Sequence, residues 1–344
     1  MGMDERNFYL IYRREAETFF TNFLWVIGHL AIAEKRNYIP IVDFQNYPTK
    51  YSETDGVDGI RNAWEYYFEQ PGDIDLEVIR DVNPSRIVDS KGFFQTPHIE
   101  DRNFLPHEIA AGRKRNTHHV ERVQSLIRKF IKIKPHVTRE VEAFCTEYFE
   151  NNTVLGVHVR GTDMTNEPWN YMFPIRQVVA KAETLMNDLG MTKIFVCSDE
   201  AQTIELFKTH FGDCCLYTDS NRSMGSRLPV LYDLQNGSLD VNRRHNRYYS
   251  GLEVLIDVLL LARCQAFLAS RSGVSNAAIY LSPAQNSVHY LPPTVFQKAR
   301  GFAAYWGHFI GCDTRMFGDE FGRSEVRKFV RTLKDDWVDE LLSD

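Results

Sequence analysis

Three short stretches of this 344-residue sequence join polar side chains capable of chemistry to apolar runs that would fix their position. The first, Leu155-Gly156-Val157-His158-Val159-Arg160-Gly161-Thr162-Asp163, reads as an apolar strand ending in histidine, arginine and aspartate. In open α/β sheets ligands bind beyond the carboxyl ends of the strands, so polar residues gathered there mark a candidate site. The Arg160 guanidinium can hold a diphosphate through two parallel N–H bonds and neutralise it as a leaving group departs, a role that many transferases give to a divalent metal. The structural alternative is an Arg160–Asp163 ion pair closing a turn. In the second stretch another apolar strand, Ile194 to Cys197, ends in Ser198-Asp199-Glu200 just before a helix. A helix N-cap with acids in the first turn, worth about 1 kcal/mol, accounts for it, and the same carboxylates could bind sugar or ribose hydroxyls.

The third stretch runs from His245-Asn246-Arg247-Tyr248 through a helix that is apolar almost all round to Ser270-Arg271-Ser272-Gly273-Val274-Ser275. Asp257 lies inside that apolar helix, where an unpaired carboxylate costs several kcal/mol or titrates to neutral. Guanine offers it two adjacent donors, N1–H and N2–H2, and an internal ion pair with Arg247 or Arg271 is the equal alternative. The serine run sits between a strand and a helix, where hydroxyls and free N–H groups can cradle phosphate or simply cap the helix.

These residues need a frame, and the hydrophobic pattern supplies one. Strand Phe8 to Tyr12, helix Glu15 to Lys35 and strand Tyr38 to Phe44 form a βαβ unit. From residue 153 on, strands Val154 to Val159, Lys193 to Cys197, Cys214 to Tyr217, Ala266 to Ala269 and Val288 to Leu291 alternate with helices Ile175 to Leu189, Gln202 to Phe211, Gly251 to Cys264 and Ser275 to Leu281. That alternation predicts a doubly wound parallel sheet. The expected division is an N-terminal α/β domain over residues 1–150, a Rossmann-like domain over 151–295, and a helical tail over 296–344 packing back on the first domain.

Composition narrows the function classes. A net charge of −6 gives no global field for nucleic acid, which is not expected as a partner. The one basic stretch, Arg113 to Arg139, reads as an amphipathic helix, either a solvated face or a contact for an anionic membrane or acceptor. Six scattered cysteines without zinc-ligand spacing suggest reduced thiols, and no apolar segment is long enough to span a bilayer, so the cytoplasm, or the inner face of its membrane, is the expected location. Asp73-Ile74-Asp75 spells a D-x-D metal motif but follows Pro71-Gly72 and opens a helix over Leu76 to Arg80, so it reads as a cap; no metal site is expected.

Taken in order, the three stretches resemble the three motifs of the α-1,2/α-1,6-fucosyltransferase and protein O-fucosyltransferase superfamily, most closely its nodulation-factor and N-glycan-core α-1,6 group. The resemblance covers residues 153–281: His158, Arg160 and Asp163 match H-x-R-[RG]-x-D, Ser198-Asp199-Glu200 match the second motif, and Asn246 through Asp257 to Ser272 and Ser275 match the third. It implies a GT-B-like fold of two Rossmann-like domains with the nucleotide site in the C-terminal half. It also implies a GDP-fucose donor, a glycan acceptor, no metal or other cofactor, and inversion at the anomeric carbon. Arg160 would hold the β-phosphate, His158 and Asp257 would read guanine, and Ser272 and Ser275 would help with the phosphates, with Asp163 and Ser198 in the donor-binding set. The α-1,6 enzymes carry an acid near the offset of Glu167, which makes it the expected base, with Asp199 in reserve. The chain departs from the group at Gly161, where those enzymes have a second arginine, at Met164 in place of a lysine, and at Thr18-Phe19-Phe20-Thr21-Asn22 in place of a glycine-rich loop. A transferase using GDP-mannose or a UDP sugar, and a non-catalytic nucleotide- or glycan-binding protein, are the rival readings.

Overall fold

The computed structural model describes residues 6–14, 18–91, 117–161, 173–223, 243–270, 272–283 and 287–291. Asp163, Met164, Glu167, Arg271 and the expected tail over 296–344 lie outside the described residues. Strand β1 (Phe8–Tyr12), helix α1 (Phe19–Arg36) and strand β2 (Ile39–Asp43) form the expected βαβ unit, with β1 and β2 parallel. Asn37 adopts the left-handed conformation and closes α1 by returning its N–H to Ala33 and Glu34. Strand β3 (Ile87–Asp89) joins the free edge of β1, giving the order β2-β1-β3.

Two segments differ from expectation. Leu76–Asp81 is a 3₁₀ helix, capped by Asp75, whose carboxylate accepts the Glu77 N–H at 2.8 Å. Asp73 instead pairs with Lys132 at 2.5 Å, so the D-x-D spelling is split between a cap and an ion pair. The basic stretch forms two helices, α2 (Thr117–Phe130) and α3 (Pro135–Phe144), rather than one. The chain between them is drawn into the neighbouring loop, where Glu69 N–H donates to Lys132 O and Lys134 N–H to Tyr67 O, and Pro135 then opens the next helix. Val123, Leu126 and Ile127 of α2 are buried in the core, while Arg122 and Lys129 face outward and share Glu34. The apolar side of α2 is thus spent on the core. No helix among the described residues is long and apolar enough to cross a membrane.

The second sheet contains β4 (Val154–Val159), β5 (Lys193–Ser198), β6 (Cys215–Leu216), β7 (Ala266–Leu268) and β8 (Ser287–His289). All pairs are parallel, in the order β6-β5-β4-β7-β8. The chain winds one way from β4 through β6 and the other way from β7, so the topological switch point lies between β4 and β7. Helices α4 (Ile175–Leu189) and α5 (Ala201–Phe211) cover one face, burying Val178, Ala182, Ile204 and Phe207 against Leu155 and Val157. Helices α6 (Asn246–Leu261) and α7 (Gly273–Leu281) belong to the other face and share one core with α1 and the first sheet's aromatic loop. Helix α6 begins at Asn246 rather than Gly251, because His245 takes the left-handed conformation and turns the chain there.

Helix α6 approaches its neighbours closely at glycines. A Cβ on Gly156 of β4 would lie 3.1 Å from both Leu261 Cδ2 and Cys264 Sγ. On α6 itself Gly251 abuts Tyr67, whose ring stacks on Tyr248 at 5.6 Å and whose hydroxyl donates to Tyr248 O at 2.8 Å. A methyl at Gly251 would collide with that hydroxyl. Gly251→Ala should therefore lower stability by about 1–3 kcal/mol, as overpacking does, and part of the loss should return in the Gly251→Ala/Tyr67→Phe double variant. Equal costs in both backgrounds, measured by urea unfolding, would contradict this contact.

Candidate functional site

Side chains alternate along β4, so Gly156 and His158 face α6 while Leu155, Val157 and Val159 face α4 and α5. His158 ends the strand in a buried position, opposite Cys197 in the register of β5. Across the switch point its Nδ1 lies 2.7 Å from Ser270 Oγ, 2.8 Å from Ser275 Oγ and 3.2 Å from Ser272 Oγ. One ring nitrogen offers a single in-plane hydrogen-bond position, so three hydroxyls exceed what it can bind at once. Ser272 also caps α7, accepting the Ser275 N–H at 3.1 Å. Burial, helped by the Arg160 charge, lowers the imidazole to about 3, leaving it neutral near pH 7.

Arg160 follows on from β4, and its Nη1 donates to Asp199 Oδ2 at 2.7 Å, with both side chains about four-fifths covered. Asp199 Oδ1 accepts the Gly161 N–H at 2.9 Å, so this carboxylate straps the guanidinium to the strand end. The ion pair thus reaches the second stretch, while Asp163, the alternative partner considered from the sequence, lies outside the described residues. Gly161 is pressed by Glu200, whose carboxyl occupies the space that a side chain there would need. Ser198 pairs with Val159 and so belongs to the face opposite His158; its hydroxyl accepts the Glu200 N–H at 3.2 Å. That position separates Ser198 from the His158 cluster.

Asp257 is buried in α6, and of the two arginines considered from the sequence Arg247 is turned elsewhere, donating to Ser52 O at 3.2 Å and tying α6 to the first sheet's loop, while Arg271 lies outside the described residues. Asp257 instead accepts from Thr218 Oγ1 at 2.5 Å and from the Cys197 thiol. Burial raises its carboxyl above the usual range, opposed chiefly by the Arg222 charge. Glu253, one turn earlier, pairs with Arg243 at 2.6 Å. Thr218, Arg222 and Ser270 complete the polar cluster; the first two stand just beyond the carboxyl end of β6, the place where such sites are sought. Helix α1 also reaches this region, since a Cβ on Gly273 would lie 3.5 Å from Phe20 Cβ. The Thr18 to Asn22 segment thereby borders the serine run. No group of three potential metal ligands occurs among the described residues.

The sequence matches no protein-family model and no curated relative. Among solved structures it is similar to NodZ α-1,6-fucosyltransferase co-crystallised with GDP, at 16% identity and a TM-score of 0.48, over 81% of this chain and 94% of that one. It is similar to fucosyltransferase NodZ from Bradyrhizobium at the same identity and TM-score, over 81% and 95%. POFUT1 in complex with GDP-fucose aligns at 10% identity and a TM-score of 0.47, over 85% and 99%. These likenesses are remote.

The neutral histidine has a measurable consequence. Folded His158 takes a proton only near pH 3, whereas an unfolded histidine does so near 6.5, so between these values the unfolded chain binds more protons and stability falls as pH falls. His158→Gln removes this contribution. In urea melts between pH 7 and pH 4, the wild type should lose stability relative to the variant at up to about 1.4 kcal/mol per pH unit. Parallel curves would mean that the folded imidazole accepts a proton.

Proposed function

We propose that this protein is an inverting, metal-independent glycosyltransferase that moves a sugar, L-fucose from GDP-fucose, to a hydroxyl of a glycan or glycoconjugate, with the donor bound at the switch point of the second sheet. The convergence of three serine hydroxyls on a buried neutral histidine, beside the strapped Arg160, carries this reading. A cluster of neutral hydroxyls next to one oriented cation suits a nucleoside diphosphate better than it suits a metal ion or a hydrophobic ligand.

Inverting transfer is a single displacement, in which a base takes the acceptor's proton while another group receives the charge developing on the diphosphate. Arg160 receives that charge, with Asp199 orienting the planar fork that meets the β-phosphate. Both oxygens of Asp199 are engaged, by Arg160 and by Gly161 N–H, which suits it to positioning rather than proton transfer. The base is then Glu167, the role that the motif resemblance gives it. Ser272 and Ser275 serve the phosphates, and Asp163 stays with the donor site on the same resemblance. With Nδ1 of His158 among the serines, Nε2 is the nitrogen for guanine, and Asp257 accepts guanine's N1–H and N2–H2 with the capacity that Thr218 leaves.

Titration with GDP and UDP tests donor choice. Asp257→Asn turns one acceptor oxygen into a donor facing a donor. Hydrogen bonds to charged groups are worth roughly 1.5–3 kcal/mol, so GDP should bind about 10- to 150-fold more weakly while UDP is unaffected. A lowered melting temperature with equal loss for both nucleotides would make Asp257 an internal anchor. Proton transfer is tested in excess EDTA, where wild-type turnover of GDP-fucose should persist and Glu167→Gln should reduce kcat by ~100-fold or more with GDP affinity retained. Activity that vanishes with EDTA and returns with Mn²⁺ would refute metal independence, and full activity in Glu167→Gln would remove it as the base.

A further inference from the structure

The loop that follows β6 is fastened to α6 by two carboxylates one turn apart. Glu253 Oε2 accepts the Asn221 N–H at 3.3 Å while Oε1 holds Arg243. Asp257 Oδ1 receives Thr218 Oγ1–H at 2.5 Å. A hydroxyl has one proton and a carboxylate can only accept, so the Thr218 proton is committed to Asp257. The Thr218 oxygen must then accept, and it does so from Ser220 Oγ–H at 2.7 Å and from Arg222 Nη2 at 3.3 Å. The same guanidinium donates to Thr218 O at 2.7 Å and Ser220 O at 2.9 Å, locking the loop into a closed ring. Every bond in this chain is polarised one way, from Arg222 and Ser220 through Thr218 to Asp257.

We propose that Thr218 and Arg222 are positioning residues that fix the carboxylate plane of Asp257 and thereby set the choice of nucleobase. The proposal rests on reading Asp257 as the guanine acceptor. Two parallel hydrogen bonds to a planar base tolerate only about 10–20° of misalignment, and Asp257 has two rotatable side-chain bonds, its other described hydrogen-bond partner being the Cys197 thiol, a weak donor. Thr218 supplies the directional contact that stops the rotation, and Arg222 holds Thr218 in place by gripping its carbonyl and hydroxyl together.

The test compares GDP and UDP binding in four variants of the full chain. Thr218→Val keeps the side chain's shape and removes its proton; it should weaken GDP by about 2- to 12-fold, the value of one neutral hydrogen bond, and leave UDP unchanged. Thr218→Ser, which keeps the hydroxyl, should restore the GDP preference, a recovery that a packing role would not give. Arg222→Gln should shift the GDP-to-UDP ratio in the same direction, and it answers the question should Thr218→Val fail to fold. Equal losses for both nucleotides, or a Thr218→Ser variant as poor as Thr218→Val, would overturn the proposal. If Asp257→Asn leaves the ratio unaltered, guanine reading fails and the relay fails with it. If Asp257→Asn alters the ratio but Thr218→Val does not, the relay alone is wrong.

Discussion

Helix α6 constrains the rest of the structure, because it is apolar on nearly every side and carries one buried carboxylate. Such a helix is stable only when covered all round, and it is covered here by the second sheet, by α7 and α3, and by the aromatic loop of the first sheet. Its close approaches require glycine at Gly156 on one side and Gly251 on the other. Its first turn, rather than its middle, ties the two sheets together: Arg247 reaches Ser52 O, and Tyr248 N–H donates to Glu53 Oε1 at 3.0 Å. Asn246-Arg247-Tyr248, which the sequence places in a candidate functional motif, thus acts as a joint that positions Asp257 about three turns later.

Desolvation then sorts the charged groups. His158 is enclosed and becomes neutral, whereas Arg160, two residues further and partly exposed, keeps its charge and pairs with Asp199. A second full positive charge beside Arg160 would be repulsive, so burial and the Arg160 cation together hold His158 neutral. Asp257 sits at the enclosed end, and its environment among the described residues contains a threonine hydroxyl, a thiol and the charge of Arg222.

The regular elements were legible because their patterns were strong. Helix α4 and strand β4 have the boundaries read from periodicity, and the remaining strands of the second sheet differ by a residue or two at their ends. The failures have two causes, one long-range and one local. The break before Pro135 is dictated by hydrogen bonds to Tyr67 and Glu69, and the early start of α6 by a left-handed His245 followed by polar residues that periodicity discounts. For the site, residue type identified His158, Arg160, Asp199, Asp257, Ser272 and Ser275 as polar groups needing partners, and the fold brings most of them together. It did not identify the partners. Arg160 finds Asp199 because β4 and β5 are adjacent and parallel, and Asp257 finds Thr218 because the loop after β6 folds back over α6. Strand parity could have separated Ser198 from His158 had the register been known.

Gly161 shows how such a departure from a motif can be absorbed. A second arginine at this position would add a cation beside Arg160, but the space is filled by Glu200, held by the Ser198 hydroxyl at its backbone and within 3.4 Å of Thr203 Oγ1 at its carboxyl. Glu200 also joins Ser223 in an isolated bridge, and Ser223 N–H donates to Asp199 O at 2.8 Å, so the end of the Thr218–Arg222 loop is stitched to the same turn that straps Arg160. The glycine therefore does more than omit a charge. It leaves room for the Glu200 carboxyl against the end of β4, and a larger residue at 161 would have to push that carboxyl aside.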